Sequence, residues 1–223
     1  MQKNTFTGGD NIMRKLKMRQ NETKGYLFTF CGLDGCGKTT MLTKLKEDLE
    51  KKHIVFLTKQ PTNSVRKSEV FRTYMDKPNH DAYDYRSLSL LAASDRLQHV
   101  NKEIEPRMSN GDIVISDRYY YSCLANLRAR GFKNDKWIYE IANSIIKPDV
   151  AFFFDIPVDI AVNRVRTRPA EKDRYIDMEL QYKLREEYIE ICKANNGVLI
   201  RTDEPIAYCY EIVKKEVERV INK

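Results

Sequence analysis

No stretch of this 223-residue chain approaches the ~20 consecutive apolar residues of a membrane helix, so a membrane partner is not expected. No Cys-x-x-Cys pair and no Cys/His finger spacing occurs. The five cysteines, Cys31, Cys36, Cys123, Cys192 and Cys209, are scattered and odd in number. That argues against a disulfide framework and for free thiols in a reducing cytoplasm. An RNP-like aromatic motif is also missing. The net charge of +7 is therefore read as serving substrates that carry many phosphate charges, and no nucleic-acid partner is expected. Residues 1–24 lack the apolar core of a signal peptide and a sustained strand period. They read as a basic, mobile extension, with the fold starting near Gly25. The three histidines, His53, His80 and His99, are assigned no role. No repeat or low-complexity tract is visible. At 42% hydrophobic and 32% charged, the remainder suits a single α/β domain over residues 25–223.

The most informative stretch is 26–40, YLFTFCGLDGCGKTT. A strand-type run leads into Gly32, and after four intervening residues Gly37-Lys38-Thr39 follows, which is the P-loop pattern. Glycines let backbone N–H groups fold around phosphate oxygens, and the next helix points its positive end at the same anion. Lys38 has the reach for β- and γ-phosphates, and the Thr39 hydroxyl can ligate Mg²⁺. Gly32, Leu33, Asp34, Gly35, Cys36, Gly37, Lys38, Thr39 and Thr40 are thus candidate ATP-binding residues. Cys36, inside the loop at a helix start, is expected to be reactive.

Downstream, strands are expected at 54–58, 113–115, 150–154 and 198–200. Helices are expected at 65–75, 83–105, 120–130, 136–146, from 159, at 178–194 and at 206–221. In the long helix Leu88, Leu91, Ala92, Leu97 and Val100 should face inward. Strands alternating with helices imply a five-stranded parallel sheet covered on both faces. Ligands bind such sheets at the carboxyl ends of the strands. Two strands end in Asp after an apolar run. Asp117 is favoured for the Mg²⁺ shell because Arg118 follows it, and Asp155 is either a second such carboxylate or a helix cap or structural partner.

The P-loop with its TT, LLAASDRLQHV at 90–100, SDRYYYS at 116–122 and PDVAFFFDIPVDIAVNRVRTR at 148–168 together resemble the thymidylate kinase family, in order from Gly25 onward. The resemblance implies a P-loop kinase fold, usually a homodimer, that uses ATP and Mg²⁺ to phosphorylate a nucleoside monophosphate, most simply dTMP. It places Arg118 on the acceptor's phosphate, with Arg72, Arg96, Asp34 and Tyr119 also on the acceptor side. It makes 164–174 a basic lid that supplies a catalytic cation, either Arg168 or Arg174, because the phosphate loop itself offers only Lys38. The catalytic set is then Lys38, Arg118, Arg168 and Arg174. Departures are equally specific. The position four before Arg96, where the family commonly has a stacking Phe, is Ala92. The family's Tyr-Gln pair after the DRY segment is Asn126-Leu127, and Gln60 stands where Glu is frequent. The phosphate machinery is kept while the base pocket is rewritten, so a roomier, less selective pocket is expected unless Phe71 or Tyr119 moves in. A kinase of the same build for another nucleotide or a deoxynucleoside, and a non-catalytic P-loop module, are the alternatives.

Overall fold

The computed structural model describes residues 14–76 and 83–222. Five strands, β1 (Tyr26–Gly32), β2 (Val55–Lys59), β3 (Ile113–Asp117), β4 (Val150–Asp155) and β5 (Val198–Arg201), form one all-parallel sheet in the order β2-β3-β1-β4-β5. The middle three are the near-continuous apolar runs and are buried almost throughout. The edge strands β2 and β5 alternate between buried or half-buried and exposed positions.

Helices fill both faces. α1 (Lys38–Leu49) buries Met41, Leu42 and Leu45 against the sheet. The expected helix at 65–75 is two pieces, α2 (Asn63–Arg66), capped by the Thr62 side chain, and α3 (Glu69–Asp76). α4 (Tyr85–His99) starts at an Asp84 cap and runs through a π turn, Val100–Ile104, into α5 (Glu105–Ser109). Pro106 was expected near the end of that helix. It instead begins a further turn, because it falls just past the wide π turn where the hydrogen-bond ladder is already offset. Leu91 points outward at 42% exposure beside Leu90 at 45%, which corrects the inward assignment of Leu91. Then follow α6 (Tyr120–Ala129), α7 (Trp137–Ala142), α8 (Val158–Arg166), a 3₁₀ turn at Pro169–Glu171, α9 (Met178–Ala194) and α10 (Ile206–Ile221). α1 and α10 pack together on one face, and α6 with α9 on the other.

Residues 14–24 are packed against the domain, contrary to the expected mobile extension. Leu16 is 4% exposed, and its N–H donates to Asn195 Oδ1. Arg19 pairs with Ile146 as a one-residue parallel bridge, and its guanidinium holds both oxygens of Glu105. Asn21 bonds Asp149, which also accepts from the Leu27 N–H. The cause is tertiary. These partners lie 86 to 179 residues away in the chain, and no local pattern announces them. The rest of the expected extension, residues 1–13, lies outside the described residues.

Candidate active site

The carboxyl ends of β1, β2 and β3 open into a cavity of about 660 Å³. The P-loop forms one wall, and two of its glycines are required by geometry. A Cβ on Gly35 would stand 2.1 Å from the Ala161 carbonyl oxygen, and Gly37, with φ 88°, makes the left-handed step directly into α1. Thr202 donates from its hydroxyl to the Cys36 carbonyl and anchors the loop from the far side of the sheet. Thr39 and Thr40 lie exposed at the start of α1, where the helix N–H groups are unsatisfied. Lys38 is buried, and its ammonium donates to the carbonyls of Gly32 (3.1 Å) and Leu33 (2.6 Å). Cys36 is fully buried, so the expected reactivity is reversed, since a thiol without access meets no reagent.

The end of β3 supplies the second wall. Arg118 is one of two described non-glycine residues with positive φ, at 69°. Its N–H donates to the Phe30 carbonyl, and its own carbonyl accepts from Ser116 Oγ. The guanidinium is held from three sides, by the Gly32 carbonyl (3.0 Å), the Tyr188 hydroxyl (2.9 Å) and Asp34 Oδ1 (2.6 Å). These contacts over-determine a conformation that otherwise costs about 1–3 kcal/mol. Tyr188 was not legible in the sequence, because it sits in the apolar stripe of α9 beside Leu184 and Ile191.

Asp34 joins two of the expected arginines. Its other oxygen accepts from Arg174 Nη2 at 2.9 Å, so one loop carboxylate ties the β3 end to the basic segment 164–174. Burial alone would raise its pKa. The charges of Arg118, Lys38 and Arg174 outweigh that and hold the carboxyl well below the usual range. Arg174 also pairs with Glu171 at 2.9 Å. Arg168 pairs with Glu171 alone and is half exposed, though it borders the cavity. Of the two candidate lid cations, Arg174 is the one in contact with the phosphate loop.

Asp117 pairs with Lys59 through Oδ2 at 2.8 Å, while Oδ1 is buried with no partner among the described residues. Burial would raise this carboxyl, but Arg118, Lys38 and Lys59 hold it down, so it stays ionised. A buried carboxylate oxygen without a partner among the described residues, beside a phosphate loop, suits a hard cation, and the Thr39 hydroxyl borders the same cavity. Asp155 turns out to be a structural partner, bidentate to Arg185 at 2.6 and 2.9 Å. Among the described residues no group of three or more His, Cys, Asp or Glu could cage a metal. An ion here would therefore take most of its ligands from phosphate and water.

On the acceptor side Arg72 and Arg96 border the same cavity. Arg96 is buried, donating from Nη1 to the Ala92 carbonyl, and its Nε has no partner among the described residues. Tyr119 is a correction. It is fully buried, its hydroxyl donates to the Ile146 carbonyl, and it does not border the cavity. The turn at Arg118 leaves the guanidinium at the site and sends Tyr119, Tyr120 and Tyr121 into the core. Leu127 is likewise fully buried away from the cavity, whereas Ala92 and Asn126 border it. Phe71 does border it, with Tyr74 and Tyr85, two rings 4.9 Å apart that local motifs did not reveal.

A model of the family described as thymidylate kinase matches residues 30–213. The chain belongs to the thymidylate kinase family. It is 36% identical to a probable thymidylate kinase of Thermococcus kodakarensis over 168 residues, 73% of this chain and 82% of that protein. With the thymidylate kinase of Geobacillus sp. strain WCH70 it shares 35% over 192 residues, 82% and 91% of the two chains. A probable thymidylate kinase of Staphylothermus marinus is 31% identical over 202 residues, 90% and 96%. The parallel sheet and phosphate loop are those of a thymidylate kinase fold. Lys38 and Arg118 border the same cavity and meet at the Gly32 carbonyl, to which both donate.

Proposed function

We propose that this protein transfers the γ-phosphoryl group of ATP to dTMP, giving dTDP and ADP. The observation that carries the reading is a single cavity, bordered at one wall by the P-loop and at the other by Arg72, Arg96 and Arg118, in a chain of this family. Arginine suits both ends because its planar fork pairs with phosphate oxygens two at a time. Arg118, fixed from three sides, orients the acceptor phosphate, and Arg96 and Arg72 approach it from α4 and α3. Lys38 and the N-terminus of α1 hold the donor's β- and γ-phosphates. Charge spreads over the moving group in the transition state, and Arg174 on the lid is placed to meet it, with Arg168 as the second lid cation. Thr39 and Asp117 are the residues here that would hold magnesium, which when bound would neutralise charge on the donor's phosphates.

The chain needs no general base. The second ionisation of a phosphate monoester lies near pH ~6, so the attacking oxygen is already charged at neutral pH. A nucleoside kinase must instead deprotonate a sugar hydroxyl, and the residue after β2 is the amide Gln60.

The active unit is residues 25–223 as one domain, strapped by 14–24. The active form is a homodimer in the cytoplasm. Exposed Leu90 and Leu91 on α4 supply apolar surface for a second copy, and all five cysteines are free. Coupled ADP release with dTMP tests the activity. Turnover that requires dTMP is expected, and ATP hydrolysis indifferent to any acceptor would overturn the reading.

A further inference from the structure

The residue directly past β2 is held on every side but one. Gln60 is fully buried and borders the cavity. Its backbone N–H donates to the Asp117 carbonyl at 3.0 Å, one step beyond the Lys59–Asp117 register of β2 and β3. Adjacent strands lie roughly 4.8 Å apart, so Gln60 and Asp117 stand on neighbouring strand ends.

The last turn of α4 fixes which end of the Gln60 amide is committed. The amide nitrogen donates to His99 Nδ1 at 3.1 Å, and His99 Nε2 in turn donates to Thr58 Oγ1 at 3.0 Å. One turn earlier, Asp95 accepts from the Thr62 N–H at 2.7 Å, so the same helix grips the chain on both sides of Gln60. With its nitrogen on His99, the amide is left with Oε1, a buried acceptor that has no partner among the described residues. Asp117 Oδ1, on the next strand end, is a second such acceptor. Buried polar atoms are nearly always hydrogen-bonded, so two bare acceptors at one cavity call for a donor from a ligand. Nucleotide phosphates at neutral pH bring only acceptors. A hydrated divalent cation brings positive charge and water O–H donors, and magnesium gives up its water reluctantly.

We propose that Gln60, braced by His99, is a positioning residue for the divalent cation of the reaction, its amide oxygen accepting a hydrogen bond from water on the ion that Asp117 holds. This rests on the monophosphate-kinase reading and deepens it. An amide orients that water without adding charge. A carboxylate at the same position would orient it and attract the ion as well. Among the described residues no three His, Cys, Asp or Glu side chains gather to cage a metal, so one neutral acceptor is a sizeable share of what the protein offers the ion.

The test measures binding, with turnover alongside. Titration calorimetry of the full-length protein with β,γ-imido ATP, once with Mn²⁺ and once with EDTA, gives the factor by which the metal tightens the nucleotide. Gln60→Leu should cut that factor about 10-fold, the lower end of what losing an outer partner costs a metal site. Its affinity for the metal-free nucleotide should match wild type, which also reports an intact fold. Gln60→Glu keeps an acceptor and adds a charge, so it should raise the factor above wild type. His99→Leu leaves Gln60 in place without its brace and should lower the factor by less than Gln60→Leu does. An unchanged factor in Gln60→Leu overturns the proposal. If KM for dTMP rises there while the factor holds, the amide binds a sugar hydroxyl instead, and the proposal is overturned in that way. Should Gln60→Leu not fold, Gln60→Glu decides alone, and a factor at or below the wild-type value overturns the proposal. Wild-type protein that shows the metal factor but turns over no dTMP overturns the kinase reading and leaves the cation contact standing.

Discussion

At the scale of single residues, Lys38, the lid arginines and His99 each give a distinct signature. Lys38 is buried against loop carbonyls and makes no ion pair among the described residues. Lys38→Ala should cost at least about 100-fold in turnover, the usual scale for removing one transition-state charge contact, with an unchanged circular dichroism spectrum. Retained turnover would remove Lys38 from the chemistry. The lid arginines should separate. Arg174, which touches Asp34, should lose about 100-fold in kcat on change to Ala, and Arg168, paired only with Glu171, should lose much less. The reverse order would assign the catalytic cation to Arg168. His99 gives a pH effect. Its Nδ1 faces the Gln60 amide nitrogen at 3.1 Å, which can only donate, and its Nε2 faces Thr58 Oγ1 at 3.0 Å, so the ring is neutral. Burial lowers its pKa, against the pull of Asp95 and Glu103 and with the push of Arg96. A lowered folded-state pKa means that only the unfolded chain takes up a proton as pH falls through about 6.5. Stability should therefore decline from pH 7.5 to 5.5, and His99→Gln should flatten that slope in urea unfolding. An identical slope in the variant would show that another group titrates.

At the scale of elements, the segment before β1 and the outer face of α4 differ most from what local pattern suggests. Residues 14–24 form a strap whose apolar anchor is Leu16 and whose polar anchors are Arg19 on Glu105 and Asn21 on Asp149. Leu16→Ala should destabilise the protein by about 2–5 kcal/mol, as for other buried leucines, without altering KM for either substrate. A change below 0.5 kcal/mol would mean that the strap contributes nothing to the fold. The α4 face is the converse case, with Leu90 and Leu91 both exposed on a helix whose other side carries Ala92 and Arg96 to the cavity. If that face joins two copies, Leu90→Asp with Leu91→Asp should give a monomer by sedimentation, since a paired charge burial at a symmetric contact is strongly disfavoured. A dimer that survives both changes places the contact elsewhere.

At the scale of the whole molecule, the parallel sheet, the order of strands and helices and the phosphate loop were legible from the chain alone. Each rests on short-range rules. Apolar runs of strand length bounded by breakers, helical periods, and glycines at fixed distance from Lys38 and Thr39 all act within a few residues. The loop after β3 was legible in part. Asp117 and Arg118 border the cavity and Tyr119 does not, because a single left-handed step at Arg118 decides which of two neighbours faces it. Whatever depends on residues distant in sequence was decided only by packing. Asp34 unites Arg118 with Arg174 across 84 and 140 residues, Tyr188 braces Arg118 from α9, Thr202 braces the phosphate loop from the end of β5, and Arg130 finds Tyr85 from another helix. Cys36 and Asp155 show the same limit from the other side. Position in a motif suggested chemistry for each, and burial under the loop and a bidentate arginine removed it. The sequence by itself determined the fold class and the phosphate chemistry, because those follow from local backbone geometry. The tertiary structure decided which arginines meet one another and which side chains border the cavity, because those contacts exist only once the sheet has brought its strand ends together.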